Sequence, residues 1–235
     1  FTDISELRGE TCIVKKSGKC WLADSEGKLL SVTGYDRIIY IGEDYYKAGV
    51  LVRPTDEIVV EYADVSHVYE LLDGKGHILI GKENGYHYLS EIYDGELTAA
   101  KNGQCGIVDL QGNVRVDFRY KYIQPMGEGL YMPSTDGEDN YWSTIIDKDG
   151  NVMIPASKQY RSIYPFHNGV ARAYQDGKWG LIDHQGNHVG NFNYSYIEDW
   201  GEGYFKVEQG TKKNIMRPDG SIVLKDWYND VFKVC

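Results

Sequence analysis

The amino-acid sequence predicts an all-β protein, a tandem array of about seven antiparallel repeats that each contain a β-hairpin and a third strand. The string "DGKWGLIDHQGN" at 176–187 returns in altered form as "NGQCGIVDLQGN" at 102–113 and "SGKCWLADSEGK" at 17–28. The 235 residues include 27 Gly, 20 Tyr and 6 Pro, a composition typical of tight turns that join aromatic-rich strands. Asn-Gly and Asp-Gly dipeptides recur, and they are the strongest short-range sign of a hairpin.

The opening strand of each unit has an aromatic residue followed three positions later by an aliphatic one. Such openings begin at residues 1, 35, 120, 160, 194 and 228, with weaker ones at 65 and 89. Because a repeated sequence indicates a repeated structural unit, we expect a single repeat domain over residues 1–235. Its units are predicted at 1–34, 35–64, 65–88, 89–119, 120–159, 160–193 and 194–227, with a stub at 228–235.

The second and third strands of a unit are predicted to form the hairpin. Asp176 and Gly177 suit a type I′ turn, since both tolerate positive φ. This turn pairs Tyr174 with Trp179 and therefore assigns every side chain to one of two faces. One face carries Trp179, Leu181, Val170 and Tyr174, and the other carries Ala171, Ala173, Gly180 and Ile182.

Both faces of the hairpin are largely apolar, and a lone hairpin buries too little surface to be stable. Each unit must therefore lie between neighbours, with the large face of one unit on the small Ala/Gly face of the next. We expect the array to be open and curved, because both ends carry opening strands, at 1–4 and 228–231. A closed, propeller-like ring is the alternative. Since the last residues are apolar, we also expect the chain to be part of a longer protein or to dock another domain or subunit.

A second tight turn is predicted at the end of each unit. Asp at the first position of a type I turn hydrogen-bonds its own backbone, and Gly suits the fourth position. We interpret these aspartates as turn caps rather than catalytic or calcium-binding carboxylates, because no acid follows at 152–160 to complete a calcium loop. The turn residues are Asp24 and Gly27, Asp109 and Gly112, Asp147 and Gly150, and Asp183 and Gly186.

The motif "GKWGLID..GN" gives the chain a family resemblance. It stands here as Gly177, Lys178, Trp179, Gly180, Leu181, Ile182, Asp183, Gly186 and Asn187. At these residues the chain resembles the bacterial WG-repeat (KWG-repeat) family, closely at 89–119 and 160–193 and poorly at 35–88. The resemblance implies a β-repeat array with a binding or scaffolding role, in a family without a shared catalytic site.

Charge and motifs exclude several other classes of protein. The net charge is -10 and no block of Lys or Arg stands out, so nucleic acid is not an expected ligand. No apolar run reaches the roughly 18 residues of a membrane span. No nucleophile elbow, Walker loop or dinucleotide fingerprint is present, and the six histidines are scattered. We therefore predict no catalytic site, no cofactor and no metal.

The four cysteines have spacings that match no zinc site. In the repeat register, Cys20 and Cys105 replace Trp179, and Cys12 replaces Ala171. We expect buried free thiols, with Cys12 and Cys20 on opposite faces of their hairpin. Unpaired cysteines favour a reducing compartment, which slightly favours the cytoplasm.

Two groups of aromatic residues are candidates for binding. The Tyr-x-Tyr-Ile openings are expected to be core positions rather than a ligand platform, because they recur at a fixed place in the unit. The stretch "MPSTDGEDNYWSTII" at 132–146 replaces a tight turn with a long acidic loop, and binding residues concentrate on such loops. The alternative is drift in a degenerate unit, with Trp142 folded onto the sheet. The candidate binding residues are Asp136, Glu138, Asp139, Tyr141 and Trp142.

These observations favour a non-enzymatic interaction or scaffold module. The stacked hairpins are the scaffold, and the turns contact another protein or another domain of the same protein. The alternative is a glycan-binding module that uses loop aromatics such as Tyr141 and Trp142.

Overall fold

A computed structural model of the protein describes residues 2–5, 7–52, 66–134, 144–156 and 159–233. This part of the chain contains 22 β-strands, a single 3₁₀ helix at Lys82–Asn84 and no α-helix. The strands form six small antiparallel sheets, none of which closes into a barrel, so the predicted all-β array is confirmed. The chain divides into two compact units, Phe1–Ile123 and Gln124–Cys235, and each is described by itself.

The first unit contains three sheets. Sheet 1 consists of β1 (Asp3–Ile4), β2 (Thr11–Lys16) and β3 (Lys19–Asp24). Sheet 2 consists of β4 (Arg37–Gly42), β5 (Tyr45–Leu51), β6 (His67–Asp73) and β7 (Ile78–Ile80). Sheet 3 consists of β8 (Tyr88–Leu89), β9 (Glu96–Lys101), β10 (Gln104–Asp109) and β11 (Val114–Tyr120).

Three further sheets follow, and the boundary between the units falls within β12. Sheet 4 consists of β12 (Tyr122–Gly127), β13 (Leu130–Ser134), β14 (Ile145–Asp147) and β15 (Val152–Ile154). Sheet 5 consists of β16 (Ser162–Ile163), β17 (Ala171–Gln175), β18 (Lys178–Ile182) and β19 (His188–Tyr194). Sheet 6 consists of β20 (Tyr196–Gly201), β21 (Tyr204–Gln209) and β22 (Lys212–Met216).

Sheet 2 covers the stretch that the sequence divides into units 35–64 and 65–88. The described part of this stretch forms one four-stranded sheet, in the order β4-β5-β6-β7. β5 pairs with β6 along its whole length, with Tyr45 opposite Asp73 and Leu51 opposite His67. In sheets 1, 3, 5 and 6 two residues join the hairpin strands, whereas residues 52–66 separate β5 from β6. Without a tight turn, the sequence gives no sign that these strands pair.

The hairpin of sheet 5 has the predicted register. Asp176 and Gly177 have φ values of 49° and 82°, as a type I′ turn requires. Gln175 pairs with Lys178, and Tyr174 pairs with Trp179. A two-residue turn of this type fixes the alternation of side chains along both strands, because neighbouring residues point to opposite faces.

The two faces of sheet 5 are buried on opposite sides. Ala171, Ala173 and Ile182 pack with residues of sheet 4, and Leu181 and Trp179 pack with residues of sheet 6. The predicted burial of a hairpin between neighbouring repeats is therefore confirmed for sheet 5, which lies between sheets 4 and 6. The residues of sheet 4 in this core include Met126, Leu130, Ile145 and Ile154, and those of sheet 6 are Ile197, Phe205, Val207 and Met216.

The expectation of a small Ala/Gly face beneath the large one is wrong for sheet 6. The face that covers Leu181 carries Phe205 and Val207, which are larger than the corresponding Ala171 and Ala173 of sheet 5. In sheet 5 the ring of Phe192, from the same sheet, occupies the space over Gly180, so that a Cβ at Gly180 would collide with it. The fold therefore conserves the position of the face but not the size of its side chains.

The first unit is built in the same way. Sheets 1 and 2 share a core that contains Leu22, Ile38 and Leu72, and sheets 2 and 3 share one that contains Leu71 and Leu97. Each sheet-to-sheet core is lined from both sides, so the strands of sheet 2 are buried on both faces.

Candidate functional site

The predicted binding loop lies outside the described residues. Asp136, Glu138, Asp139, Tyr141 and Trp142 all fall within 135–143, which the structure does not describe. The role of this loop stays a prediction. The candidate site developed below comes from described residues that the sequence assigned to the repeat.

The repeated aspartates cap their own turns. In Asp183 the Oδ1 atom accepts the N–H groups of Gln185 and Asn187 at 2.9 and 2.8 Å, and Oδ2 accepts the Asn187 side-chain amide at 2.9 Å. The backbone N–H of Gly186 donates to the Asp183 carbonyl at 3.0 Å, and Gly186 has positive φ. Asp24, Asp109 and Asp147 make the same two backbone bonds within their turns.

The electrostatics of these carboxylates agree with a structural role. Partial burial of Asp183 would raise its pKa, but the hydrogen bonds from Asn187 and Gln185 hold the pKa below its usual value. The pKa values of Asp109 and Asp147 are lowered in the same way by Asn113 and Asn151. A fifth turn of this kind, with Asp73 first and Gly76 fourth, was missed from the sequence because Gly74 occupies its second position.

Three tyrosine rings surround Trp179 on sheet 5. The ring centre of Trp179 lies 5.1 Å from Tyr174, 5.6 Å from Tyr164 and 6.3 Å from Tyr196. Tyr164 and Tyr196 are 41% and 45% exposed, while Trp179 is half-buried. The Trp179 ring thus rests on the core of sheets 5 and 6 and holds a surface of tyrosines in place.

Arg172 adds a positive charge to this aromatic surface. Its guanidinium carbon lies 4.6 Å from the centre of the Tyr164 ring, within the range of a cation–π contact. Nη1 donates to the carbonyl oxygen of Ile197 at 2.9 Å, so the strand that opens sheet 6 holds the side chain in place. We call Tyr164, Arg172, Tyr174, Trp179 and Tyr196 the Arg172 patch.

The two tyrosines of the Tyr-x-Tyr-Ile motif at 194–197 differ in burial, and the exposed one, Tyr196, belongs to the Arg172 patch. Tyr194 is 1% exposed and belongs to the core, as expected for a packing position, whereas Tyr196 is 45% exposed. The expectation of core positions is therefore right for the first tyrosine and wrong for the second. The difference arises because the chain passes from sheet 5 to sheet 6 between them, which turns Tyr196 out of the core.

The same position in sheet 6 is occupied by ion pairs. Lys206 corresponds to Arg172, Lys213 to Trp179 and Asp230 to Tyr196 in the pairing of the strands. Asp230 Oδ1 lies 3.1 Å from Lys206 Nζ and 3.0 Å from Lys213 Nζ. The lysine contacts hold the pKa of Asp230 well below its usual range, at about 2.

A polar cleft lies elsewhere in the second unit, between sheets 4 and 5. It has a volume of about 450 Å³ and is lined by Ile154, Pro155, Gln159, Tyr160, Gln185, Gly186, Asn187 and His188. The hydroxyl of Tyr160 donates to the Gly186 carbonyl at 2.7 Å, and the His188 ring stacks on Phe192 at 4.3 Å. Its lining contains amides and one histidine but no carboxylate, so it suits an uncharged polar ligand.

Two further kinds of site in the described residues would be groups that could bind a metal ion and reactive thiols. There, no three His, Cys, Asp or Glu side chains are grouped so that they could hold a metal ion. Cys12, Cys20 and Cys105 are free thiols, of which Cys12 is buried and the other two are half-buried. Burial raises the pKa values of Cys12 and Cys105, which disfavours the reactive thiolate. Within the described residues, no helix is long and apolar enough to cross a membrane.

Comparison with a family model identifies the repeat. The model of the WG containing repeat matches residues 106–132, 144–179 and 179–212, which are three consecutive repeats. The resemblance drawn from the sequence is confirmed over these residues. A search of curated proteins finds no match to the chain.

Several solved structures have a limited likeness to this chain. Hsv2p from Kluyveromyces lactis is 12% identical, with a TM-score of 0.43, and the match covers 93% of this chain and 76% of Hsv2p. The WD40 domain of Pan2 from Neurospora crassa is 13% identical, with a TM-score of 0.38, and the match covers 91% of this chain and 70% of that domain. These TM-scores are too low to establish a common fold.

Proposed function

We propose that this chain, which carries WG repeats between residues 106 and 212, is a non-enzymatic interaction module whose Arg172 patch contacts another protein. The stacked sheets are the scaffold, because sheet 5 buries one face against sheet 4 and the other against sheet 6. The observation that carries the proposal is the exposed pair Tyr164 and Tyr196, held by Trp179 and Arg172. Tyr, Trp and Arg are the residues most enriched at the energetic centres of protein interfaces.

The geometry supports this role in two ways. The patch is already ordered, because Arg172 is bonded to Ile197 and Trp179 is packed on the core, so binding costs little side-chain entropy. Its tyrosines present apolar rings with polar hydroxyls, which suits an interface that is exposed to water when no partner is bound. The sequence favours the turns as the contact surface, whereas this proposal places it where one sheet passes into the next.

A comparison of variants tests the proposal. Wild-type protein, the double variant Tyr164→Ala/Tyr196→Ala and the control Tyr204→Ala would be immobilised and the captured proteins identified by mass spectrometry. Tyr204 is 40% exposed but lies on sheet 6 outside the patch, which makes it a matched control. We expect a partner that binds the wild type and the control but not the double variant. Capture of the same proteins by all three would contradict the role of the patch.

A non-enzymatic role is supported by the carboxylates. Where a pKa shift of a described Asp or Glu is resolved, the pKa is lowered, as in Asp183 and Glu128, whereas a general acid requires a raised pKa. Hydrolysis would need two such acids that converge in a cleft, and the cleft near Tyr160 has no carboxylate in its lining. Assays with chromogenic ester and glycoside substrates should therefore show no turnover.

Glycan binding is the second candidate function. The cleft lined by Gln159, Gln185 and Asn187 favours it, because side-chain amides can both donate to and accept from sugar hydroxyls. The predicted loop aromatics Tyr141 and Trp142 would add stacking surfaces. A glycan array, read by tryptophan fluorescence and repeated with Trp142→Ala and Asn187→Ala, tests this function, and an array without signal would remove it.

A further inference from the structure

The first unit contains a second cation at the position of Arg172. Lys47 lies on β5 opposite the buried Leu71, just as Arg172 lies on β17 opposite the buried Leu181. The correspondence follows from strand pairing, so it does not depend on sequence similarity. It was hidden in the sequence because residues 52–66 separate β5 from β6.

The contacts of the two cations also correspond. Lys47 Nζ donates to the carbonyl oxygen of Leu89 at 2.8 Å, and Arg172 donates to that of Ile197 at 2.9 Å. Leu89 and Ile197 both belong to the strand that opens the next sheet. In each case the cation is therefore held over the junction between two sheets.

Aromatic rings surround both cations. Lys47 Nζ lies 5.5 Å from the centre of the Tyr88 ring and 5.9 Å from that of Tyr69. Tyr88 directly precedes Leu89, as Tyr196 precedes Ile197, and Tyr69 stands two residues before Leu71, as Trp179 stands before Leu181. Tyr88 is 39% exposed, so an aromatic edge of this cluster faces solvent. We call Lys47, Tyr69 and Tyr88 the Lys47 cluster.

The third copy of this position shows which ligand chemistry it accepts. In sheet 6 the carboxylate of Asp230 stands in the place of the exposed tyrosine. It lies 3.1 Å from Lys206 and 3.0 Å from Lys213, which stands in the place of Trp179. The chain itself thus puts a carboxylate on the corresponding cation. In sheets 2 and 5, tyrosine stands at that position instead. The charge of Glu91 already acts on Lys47, and a carboxylate from a partner would add a direct pair like that of Asp230. Because the chain has a net charge of -10, an acidic ligand is repelled except where such a cation is presented.

We infer that the Lys47 cluster is a second binding site, for the same class of ligand as the Arg172 patch, an extended acidic peptide that places a carboxylate beside an aromatic side chain. The inference rests on the proposed function of the Arg172 patch. The carboxylate pairs with the cation, and the aromatic side chain packs on the exposed tyrosine.

Titration calorimetry with a short peptide of alternating Asp and Tyr tests the inference. We expect two peptides to bind per wild-type chain. Lys47→Met should leave one peptide bound, at the Arg172 patch and with unchanged affinity. A circular dichroism spectrum and a thermal unfolding midpoint equal to those of the wild type show that the variant is folded. Arg172→Met should leave the other. Lys47→Arg should keep both sites, and the exposed Lys16→Met, which lies at the end of β2, is the matched control. A peptide of alternating Asn and Tyr should have an affinity at least about tenfold lower than that of the Asp/Tyr peptide.

The outcomes separate the two proposals. A single bound peptide that Arg172→Met abolishes and Lys47→Met does not affect would overturn the second site and leave the proposed function intact. Binding of two peptides that neither substitution weakens would overturn the inference as well. Loss of protein capture by the tyrosine double variant, measured independently, supports the proposed function whichever of these results is found.

Discussion

Sheets 5 and 6 have the same strand register and the same shared core, yet they present opposite chemistry at one surface position. Sheet 5 has Arg172 among exposed tyrosines, whereas sheet 6 has Lys206 and Lys213 paired with Asp230. The backbone determines where a cation stands, and the residue at the start of the next strand determines whether that cation is paired internally. Asp230 neutralises the lysines of sheet 6, whereas the proposed function requires that Tyr196 leave Arg172 for a partner.

The strongest test of this comparison removes the core that the two sheets share. Leu181 is fully buried between them. We expect Leu181→Ala to lower the free energy of unfolding by about 3 kcal/mol, because the substitution leaves a cavity that both sheets line. Urea denaturation measures the loss. Val152→Ala, at a 58% exposed position, is the control and should cost less than about 0.5 kcal/mol. A loss for Leu181→Ala of only that size would mean that the sheets do not depend on each other.

The closing turns of the two sheets provide a second, smaller test. In sheet 5 the first turn position is Asp183, which accepts three hydrogen bonds, whereas sheet 6 has Arg217 there and uses Asp219 to accept the N–H of Ser221. We expect Asp183→Ala to cost about 1 to 2 kcal/mol, since three bonds within the turn are lost. Arg217→Ala should change the free energy of unfolding by less than about 0.5 kcal/mol. Equal losses would show that the carboxylate is not what stabilises the turn.

The ion pairs of sheet 6 predict a pH dependence. The contacts from Lys213 and Lys206 lower the pKa of Asp230 to about 2. A lowered pKa in the folded state means that this contribution to stability is complete above the ordinary carboxyl pKa and is lost as the pH falls through about 2. Titration of the carboxyl carbon by NMR should give that value in the wild type and a higher one in Lys213→Met. High salt should also raise it, because the group is exposed. An unshifted titration would rule out the ion pairs.

The smallest expected change in stability comes from converting one position into the other. Tyr196→Asp places a carboxylate beside Arg172, as Asp230 lies beside Lys206. We expect the free energy of unfolding to change by less than about 0.5 kcal/mol, because surface ion pairs contribute little. Affinity for the acidic peptide at the Arg172 patch should fall about tenfold, since the cation is now paired within the chain. Tyr204→Asp is the control, and an affinity retained by Tyr196→Asp would contradict the comparison.

The sequence predicts those parts of the fold that local rules determine. The turn at Asp176 and Gly177 sets the register of β17 and β18, and alternation along the strands then sets which side chains are buried. The Asp-headed turns follow equally from local hydrogen bonding, as Asp183 shows. Sheet 2 could not be predicted in this way, because the pairing of β5 with β6 depends on residues far apart in sequence.

The candidate site could not be predicted from the sequence for a similar reason. The Arg172 patch joins Tyr164, which follows β16, and residues of β17 and β18 to Tyr196 of the next sheet, and no single repeat contains the whole set. One signal was available. In the two repeats of sheets 5 and 6, whose hairpins have two-residue turns, a basic residue stands at the same place on the first hairpin strand, as Arg172 and Lys206, between apolar neighbours. Cations spaced in this way on otherwise buried strands indicate a surface position with a specific contact.

The type I′ turn between β17 and β18 has one more consequence. Because two residues set the register of this hairpin, we expect a substitution at exposed Tyr164 or Tyr196 to leave the packing beneath it unchanged. Exposed residues can therefore differ from sheet to sheet while the fold stays the same. Side chains equivalent to Tyr196 and Arg172 could be introduced on a neighbouring sheet by substituting only a few exposed residues.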